Sequence, residues 1–141
     1  MKLAIINGPN LNLLGQREPE IYGNESFESY LNKLIARFSA HDIDYFQSNS
    51  EGELIDIIQK VGFEVDGIVI NPAGYSHMSV SIADAMAAVP APVVEVHISN
   101  IYARESFRQK SITGKNAKAV ITGAGLQGYS LAIEFLTNQE G

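Results

Sequence analysis

The fold is decided by an alternating stretch, Pro92-Val93-Val94-Glu95-Val96-His97-Ile98-Ser99-Asn100. A period of two is typical of a β-strand, so polar and apolar side chains are predicted on opposite faces. The polar face holds Glu95, His97 and Ser99. The apolar face holds Val94, Val96 and Ile98. Because a buried carboxylate and imidazole are costly unless they are paired, the stretch indicates an acid–base pair, with a solvated strand end as the alternative.

On both sides of this stretch, apolar segments with strand character alternate with segments of helical periodicity. Strands are predicted at residues 3–7, 43–47, 67–71, 93–98 and 119–122. Helices are predicted from a Ser26 cap to about residue 41, after a capping box of Ser50 and Glu53, and at residues 79–88 and 126–136. A short charged helical turn is predicted at 104–110. This alternation predicts one α/β domain over residues 1–141, a three-layer sandwich around a five-stranded parallel sheet.

Ligands of parallel α/β sheets bind beyond the carboxyl ends of the strands. Polar and basic side chains collect after the predicted strands: Asn10, Asn71, His77, His97, Ser99, Arg104 and Arg108. Arg104 and Arg108 are four residues apart, which places them on one face of the predicted helical turn. We expect at least one of them, Arg108, to face a pocket for a small molecule at this edge.

Composition and charge exclude several classes of protein. The 141 residues carry a net charge of −6, which argues against binding of nucleic acid through its phosphates. The sequence contains no cysteine and no apolar run of membrane-spanning length, which indicates a cytoplasmic protein. Asn7 and Asn71 stand where a response regulator needs acidic residues. The histidines and carboxylates are not clustered as metal ligands are, so no metal site is expected.

One motif, Gly123-Ala124-Gly125-Leu126-Gln127-Gly128, has the spacing of a dinucleotide-binding loop. Such a loop needs a further strand and an acidic residue about 20 positions later. Neither follows in this sequence. We therefore expect a tight turn with close packing of a helix on the sheet.

Five stretches, in order along the chain, resemble type II 3-dehydroquinate dehydratases. They are residues 7–23, 47–56, 70–79, 95–108 and 123–132, and the first begins Asn7-Gly8-Pro9-Asn10-Leu11-Asn12-Leu13-Leu14-Gly15. The resemblance implies a flavodoxin-like fold, an enzyme without a cofactor and a homo-oligomer, usually a dodecamer built from trimers. It also implies loss of water from 3-dehydroquinate to give 3-dehydroshikimate, by anti elimination through an enolate.

The resemblance further implies a role for each residue of the site. Tyr22 matches the base, and Arg17 matches the arginine that favours its ionised form. His97 matches the acid that protonates the leaving hydroxyl, and Glu95 matches the residue that orients it. Asn10 matches the asparagine that holds a water against the enolate. The residues that match substrate contacts are Asn71, His77, Ile98, Ser99 and Arg108, with Asp84 reaching in from a neighbouring subunit.

The loop with Arg17 and Tyr22 contains Gly15, Pro19 and Gly23, and we expect a mobile lid that brings base and guanidinium onto the substrate together. Making a phenol available as a base at neutral pH takes about 4 kcal/mol. One guanidinium about 4 Å away supplies that much at an effective dielectric of about 20. From the residues alone, an exposed loop aromatic is the alternative for Tyr22.

The sequence departs from the family pattern at three positions. Ser50 and Tyr102 stand where histidine is common, and Ala83 stands where a basic residue is common. None of them is the acid or the base. Two other classes of protein stay open, a module that binds a small acid in the same pocket and a structural subunit without activity. Synthesis of aromatic compounds and breakdown of quinate both stay open as the metabolic role.

Overall fold

Five strands lie side by side in one parallel sheet in the computed structural model, which describes residues 1–16, 20 and 24–138. The strands are β1 (Lys2–Asn7), β2 (Asp42–Gln47), β3 (Gly67–Asn71), β4 (Val93–His97) and β5 (Ala119–Thr122). Their order in the sheet is β2-β1-β3-β4-β5, and every neighbouring pair is parallel. The predicted five-stranded parallel sheet is confirmed, with the strand order of flavodoxin-like folds.

Helices cover both faces of the sheet and make the three predicted layers. Those described are α1 (Phe27–Arg37), α2 (Glu51–Val61), α3 (Val80–Ala88) and α4 (Gln127–Thr137). One apolar cluster, which includes Leu34 and Ile133, joins α1 and α4 to the sheet. A second cluster, which includes Leu54 and Ile82, joins α2 and α3 to the other face. Across the described ranges, no helix is long and apolar enough to span a membrane.

The alternation predicted for β4 is confirmed. The apolar side chains of one face pack in the cluster of α1 and α4: Val94, Val96 and Ile98. Val93 packs in the cluster of α2 and α3, and Glu95 and His97 share its face of the strand. β4 ends at His97, one residue earlier than predicted, because His97 pairs with Thr122, the last residue of β5.

Serine side chains cap two helices as predicted. Ser26 Oγ accepts a hydrogen bond from the N–H of Ser29 at 3.2 Å, and Ser50 Oγ accepts one from Glu53 at 3.3 Å. The N–H of Ser50 donates to Ser48 Oγ at 3.0 Å, rather than to Glu53 as the capping box predicts. At the start of α2, the Ser50 side chain therefore accepts from the helix, and Ser48 rather than Glu53 accepts from the N–H of Ser50.

The first helix is shorter than predicted. α1 ends at Arg37, whereas the predicted helix extends to about residue 41. The N–H of Asp42, the first residue of β2, donates to the carbonyl of Met1 at 2.9 Å. The residues between Arg37 and Asp42 therefore turn the chain back to the sheet instead of continuing the helix.

The helical turn predicted at 104–110 is confirmed only in part, as the 3-10 turn Ser106–Arg108. Two separate 3-10 turns, Ile101–Ala103 and Ser106–Arg108, occupy this region, and Arg104 between them has an extended backbone. The side chain of Gln109 donates to the carbonyl of Arg104 at 2.8 Å. That side chain takes the place of the backbone donor that a continuous helix would supply.

The glycine-rich motif forms a tight turn between β5 and α4, as predicted. The N–H groups of Gly123 and Gly125 donate to the carbonyls of His97 and Ile98 at 3.2 and 3.0 Å. A side-chain carbon at Gly128 would lie 3.0 Å from Val96, so α4 packs closely on β4. These loop amides complete the end of the sheet rather than bind a phosphate.

Candidate active site

A cavity opens at the carboxyl ends of β1, β3 and β4, with a volume of about 170 Å³. Its lining includes all seven polar residues singled out after the predicted strands: Asn10, Asn71, His77, His97, Ser99, Arg104 and Arg108. Strands that run parallel end at the same edge of a sheet, which brings residues from distant parts of the chain together.

Glu95 and His97 form a buried pair at the wall of this cavity. Nε2 of His97 lies 2.8 Å from Oε2 of Glu95, and the two residues are 5% and 0% exposed. They are two positions apart on β4, so both side chains leave the same face of the strand. Because Nε2 faces the carboxylate, Nδ1 is the ring nitrogen left to exchange a proton with a molecule in the cavity.

Two hydroxyl groups complete the surroundings of the Glu95 carboxylate. Oε2 accepts a hydrogen bond from Ser111 Oγ at 2.5 Å, and Oε1 accepts one from Thr113 Oγ1. Burial is the largest single influence and raises the pKa of Glu95. The hydrogen bond and charge of His97, together with the two hydroxyl donors, outweigh burial and hold the pKa below its ordinary value. The site therefore keeps a charged carboxylate away from water.

His77 stands beside the pair. Its ring stacks on that of His97, with the two centroids 6.2 Å apart. Nδ1 of His77 lies 2.8 Å from the carbonyl of Lys110, which can only accept, so Nδ1 carries a proton. Nε2 is then the nitrogen that His77 can offer to a ligand.

Asn71 is a buried amide whose contacts fix its orientation. Its Oδ1 accepts from the N–H of Ala73 at 3.0 Å, and its Nδ2 donates to the Tyr129 hydroxyl at 3.0 Å. Tyr129 donates in turn to Asn7 Oδ1 at 2.7 Å, and Asn7 Nδ2 donates to the Tyr45 hydroxyl at 3.3 Å. Tyr129 is fully buried, and burial raises the pKa of its hydroxyl, which therefore stays neutral.

Two arginines bring positive charge to the cavity of a protein with net charge −6. We expected at least one of the two, Arg108, to face the pocket, and both line the cavity. Oε2 of Glu105 lies 3.1 Å from Arg108 Nε, and Oε1 lies 3.9 Å from Arg104 Nε. The hydrogen bond from Arg108 holds the pKa of Glu105 below its ordinary value. Glu105 thus partly neutralises the two arginines.

Asn10, Ile98 and Ser99 complete the wall of the cavity. Asn10 has a left-handed backbone, with φ 71°, and its N–H donates to Asn49 Oδ1 at 3.0 Å. Ser99 Oγ accepts a hydrogen bond from Arg104 at 3.4 Å. These contacts tie the loop after β1 and the segment after β4 to the site.

The remaining predicted site residues are Arg17, Tyr22 and Asp84. Arg17 and Tyr22 lie outside the described residues. Asp84 is exposed on α3 and does not line the cavity of its own chain. Where the structure describes the chain, no three side chains of the metal-binding types come together, and the absence of a metal stays a prediction.

Three further side chains support the site and carry little signal in the sequence: Ser111, Thr113 and Tyr129. Ser111 and Thr113 are 16 and 18 residues from Glu95, between the stretches that resemble the family. Tyr129 is 58 residues from Asn71. The one usable signal is the position of Tyr129 on the apolar face of a predicted helix, where a buried hydroxyl needs a partner.

A parallel α/β sheet with a buried carboxylate–imidazole pair and two arginines at its carboxyl edge defines an α/β protein with an acid–base site. Comparison with known proteins identifies the family within this class. The sequence profile of the family described as dehydroquinase class II matches residues 1–137. The chain belongs to the class II dehydroquinase family.

Relatives and solved structures agree with this assignment. The chain is 53% identical over 138 residues to a 3-dehydroquinate dehydratase of Clostridium botulinum, covering 96% of this chain and 94% of that one. It is 54% identical over 135 residues to a 3-dehydroquinate dehydratase of Aliarcobacter butzleri, covering 94% and 82%. The crystal structure of type II dehydroquinase from Butyrivibrio crossotus matches with a TM-score of 0.93 and 48% identity, over 98% of both chains. These similarities confirm the family resemblance and the flavodoxin-like fold.

Proposed function

We propose that this protein is a 3-dehydroquinate dehydratase, a hydro-lyase that removes water from 3-dehydroquinate to form 3-dehydroshikimate. The observation that carries the proposal is the buried pair of Glu95 and His97 at the cavity of a chain in the class II dehydroquinase family. A module that only binds this ligand needs no acid–base pair, so the pair favours an enzyme.

The reaction needs a base, an acid and a group that stabilises an enolate. The base removes a proton from the carbon next to the ketone, and the electron pair moves onto the carbonyl oxygen as an enolate. The pair then returns to form a carbon–carbon double bond while the β-hydroxyl leaves. The acid gives that hydroxyl a proton, so one molecule of water departs. The base ends protonated and the acid deprotonated, and exchange with solvent resets both.

His97 is the proposed acid. Its Nε2 faces Glu95, so the proton for the leaving hydroxyl is held on Nδ1 of an imidazolium. Glu95 stabilises the imidazolium and fixes the plane of its ring. Asn10, which lines the same cavity, is the proposed holder of a water against the enolate.

Tyr22 is the proposed base, and Arg17 is the proposed group that favours its phenolate. The support for both roles is the family resemblance and the pKa chemistry of a phenol beside a guanidinium. Anti elimination requires the base and the acid on opposite faces of the substrate ring. We therefore expect the loop with Tyr22 to cover the face of the substrate ring opposite His97.

The other cavity residues are proposed to bind the substrate. Ser99 and the N–H of Ile98 are suited to its carboxylate, and Arg108, Asn71 and His77 to its hydroxyl groups. The arginine supplies a local positive charge that offsets the net charge of −6 for an anionic substrate.

The assembly is proposed on the same resemblance. We expect a homododecamer built from trimers, in which Asp84 of one subunit reaches the site of its neighbour. Its exposed position on α3 supports that role, because it is available to another subunit. The elimination needs no cofactor when an acid and a base are present. The cytoplasmic location stays a prediction from composition.

Tyr22→Phe tests the proposed base directly. Mixing the parent protein with 3-dehydroquinate should produce the absorbance of the conjugated product. The variant should lose about 10²–10⁴-fold in kcat, because the phenol oxygen that accepts the proton is gone. Its affinity for substrate, measured by calorimetry, should stay close to that of the parent. Tyr30→Phe, on α1, is the matched control and should keep the parent rate.

Two results would contradict the proposal. A Tyr22→Phe rate within about tenfold of the parent would mean that another group is the base. Saturable binding of 3-dehydroquinate by the parent with no product formed would favour the binding module instead.

A further inference from the structure

Two hydroxyl groups that touch Glu95 are not part of the cavity. Ser111 Oγ donates to Oε2 at 2.5 Å, and Thr113 Oγ1 donates to Oε1. The described lining of the cavity contains neither residue. Thr113 is 0% exposed and Glu95 is 0% exposed, so no solvent separates them. We call Ser111 and Thr113 the hydroxyl clamp.

Backbone hydrogen bonds hold the hydroxyls of the clamp so that they donate to Glu95. The N–H of Gly114 donates to Ser111 Oγ at 2.9 Å. A backbone N–H can only donate, so the serine oxygen accepts there. Its proton is directed at Glu95 Oε2, the shorter contact at 2.5 Å, rather than at Thr113 Oγ1, which lies 3.3 Å away. The N–H of Ile112 donates to the carbonyl of Ser76 at 2.6 Å, which anchors the segment. The clamp therefore presents donors to Glu95 whatever occupies the cavity.

We infer that the hydroxyl clamp keeps Glu95 ionised and thereby sets the pH range in which His97 can give a proton to the substrate. Ser111 and Thr113 are positioning residues, because they act through Glu95 and not on the substrate. The part of this inference that concerns proton donation rests on the proposed function. The part that concerns the charge of Glu95 does not.

Removing a hydroxyl of the clamp should shift the titration of the pair of Glu95 and His97 in one direction. The pair of Glu95 and His97 loses protons in two steps, first to a carboxylate with an imidazolium and then to a carboxylate with a neutral ring. Hydroxyl donors stabilise the carboxylate in both products, and most in the second, where no imidazolium neutralises it. Removing a donor therefore moves both steps to higher pH. The lowered pKa of Glu95 agrees with this direction.

Other charged groups surround the pair on the cavity side and on the neighbouring elements. His77 is the nearest ring on the cavity side, with its centroid 6.2 Å from that of His97. Arg104 and Arg108 also line the cavity with His97, and both are only partly exposed. The other ionisable side chains on neighbouring elements are exposed to solvent: Asp84 on α3, Lys115 on the 3-10 turn Thr113–Asn116, and Lys118 just before β5. Solvent screens these exposed charges strongly. For Glu95, the pKa is set by burial, by the hydrogen bond and charge of His97, and by the two hydroxyls of the clamp.

The test compares Ser111→Ala, Thr113→Val and Thr113→Ser with the parent. Two properties are measured, the pH dependence of kcat and the titration of the His97 ring by NMR in the free protein. Ser111→Ala and Thr113→Val should each move both titration steps upward by about half to one pH unit. Thr113→Ser keeps the hydroxyl and should return both steps toward the parent values. Ser130→Ala removes a buried hydroxyl elsewhere and should leave them unchanged.

The outcomes separate this inference from the proposed function. Upward shifts in Ser111→Ala and Thr113→Val with recovery in Thr113→Ser support the clamp. A lower kcat with unmoved titration steps in Ser111→Ala would overturn it, because the residue would then be only structural. If the parent makes no product but its NMR titration shifts as stated, the proposed function fails and the control of Glu95 stands. If Thr113→Val does not fold, Ser111→Ala decides alone.

Discussion

At the scale of single residues, the site depends on a carboxylate that is charged without contact with water. Glu95 is 0% exposed, and its pKa lies below its ordinary value of 4.5. The residue spacing on β4 predicts its pairing with His97, because side chains two apart on a strand share a face. Ser111 and Thr113 could not be predicted, since their contacts with Glu95 depend on how a loop more than 15 residues away folds back.

Glu95→Gln should make the free energy of unfolding less dependent on pH in the acid range. The pKa of Glu95 is lower in the folded chain than in the unfolded one, so its charge stabilises the fold above about pH 4.5 and that contribution is lost as pH falls further. We expect the variant to unfold with a free energy about 1–3 kcal/mol smaller near neutral pH. Urea denaturation of both proteins at about pH 7 and about pH 3 measures the difference, which should shrink at the lower pH. An equal difference at both pH values would contradict a lowered pKa.

Tyr129→Phe removes the hydroxyl that joins Asn7 to Asn71. Both amides are buried and would each lose a partner, so the free energy of unfolding should fall by about 1–3 kcal/mol. Denaturant unfolding measures this loss. Tyr102→Phe, at a residue that is 68% exposed, is the matched control and should be close to neutral. Equal stabilities for the two variants would mean that the buried hydroxyl bonds contribute nothing.

At the scale of elements, the local patterns that predict strands and caps are reliable where burial supports them. β3 and β4 are buried at every position, and the apolar run of β3 and the alternation of β4 predict them almost to the residue. The region 104–110 was predicted as a helix from its charged residues alone. Side chains compete with the backbone there and just before it: Gln109 donates to the carbonyl of Arg104, and Asn100 accepts from the N–H of Tyr102. Such competition depends on the folded loop and leaves no periodicity in the sequence.

The turn that follows β1 needs a glycine because two loops approach closely there. A side-chain carbon at Gly8 would lie 2.6 Å from the carbonyl oxygen of Pro72, and both partners are backbone. Gly8→Ala should therefore lower the free energy of unfolding by about 1–3 kcal/mol. Gly74→Ala is the control, because nothing lies within 4 Å of the added carbon, and it should change stability by less than about 0.5 kcal/mol. Thermal or urea unfolding measures both, and equal losses would contradict a steric cause.

At the scale of the whole molecule, topology predicts the site better than any single motif. Asn10, Asn71, His77 and the residues after β4 are far apart in sequence, and they meet because parallel strands end at one edge. The same rule brings Arg104 and Arg108, which both follow β4, to the cavity, although only Arg108 lies in the 3-10 turn Ser106–Arg108. The assembly lies beyond what the sequence of one chain determines by physical argument, because subunit contacts depend on surfaces that local patterns do not describe.

The proposed reach of Asp84 into a neighbouring site can be tested by mixing subunits. Asp84→Ala alone should raise KM, and Tyr22→Phe alone should be inactive. Oligomers assembled from equal amounts of both contain sites with Tyr22 from one chain and Asp84 from the next. If the two residues act across the interface, at random assembly about a quarter of the sites are complete. Steady-state rates at low substrate concentration measure the recovery.

Recovery of activity should require joint assembly. Unfolding and refolding the two variants together should restore it, and mixing them after separate refolding should not. No recovery after joint refolding would place Asp84 in the site of its own chain or outside the site altogether.

The amide of Asn71 has a consequence for what the cavity can accept. The N–H of Ala73 can only donate a hydrogen bond, so the Asn71 oxygen must accept it. This fixes which group donates and which accepts in every later hydrogen bond of the series, which continues through Asn71, Tyr129, Asn7 and Tyr45. A single backbone N–H thereby sets the direction of the hydrogen bonds between side chains from three strands and a helix. No entering molecule can reverse Asn71 without breaking the whole series. Compounds of the right size but the opposite pattern of donors and acceptors are therefore discriminated against before any bond is broken.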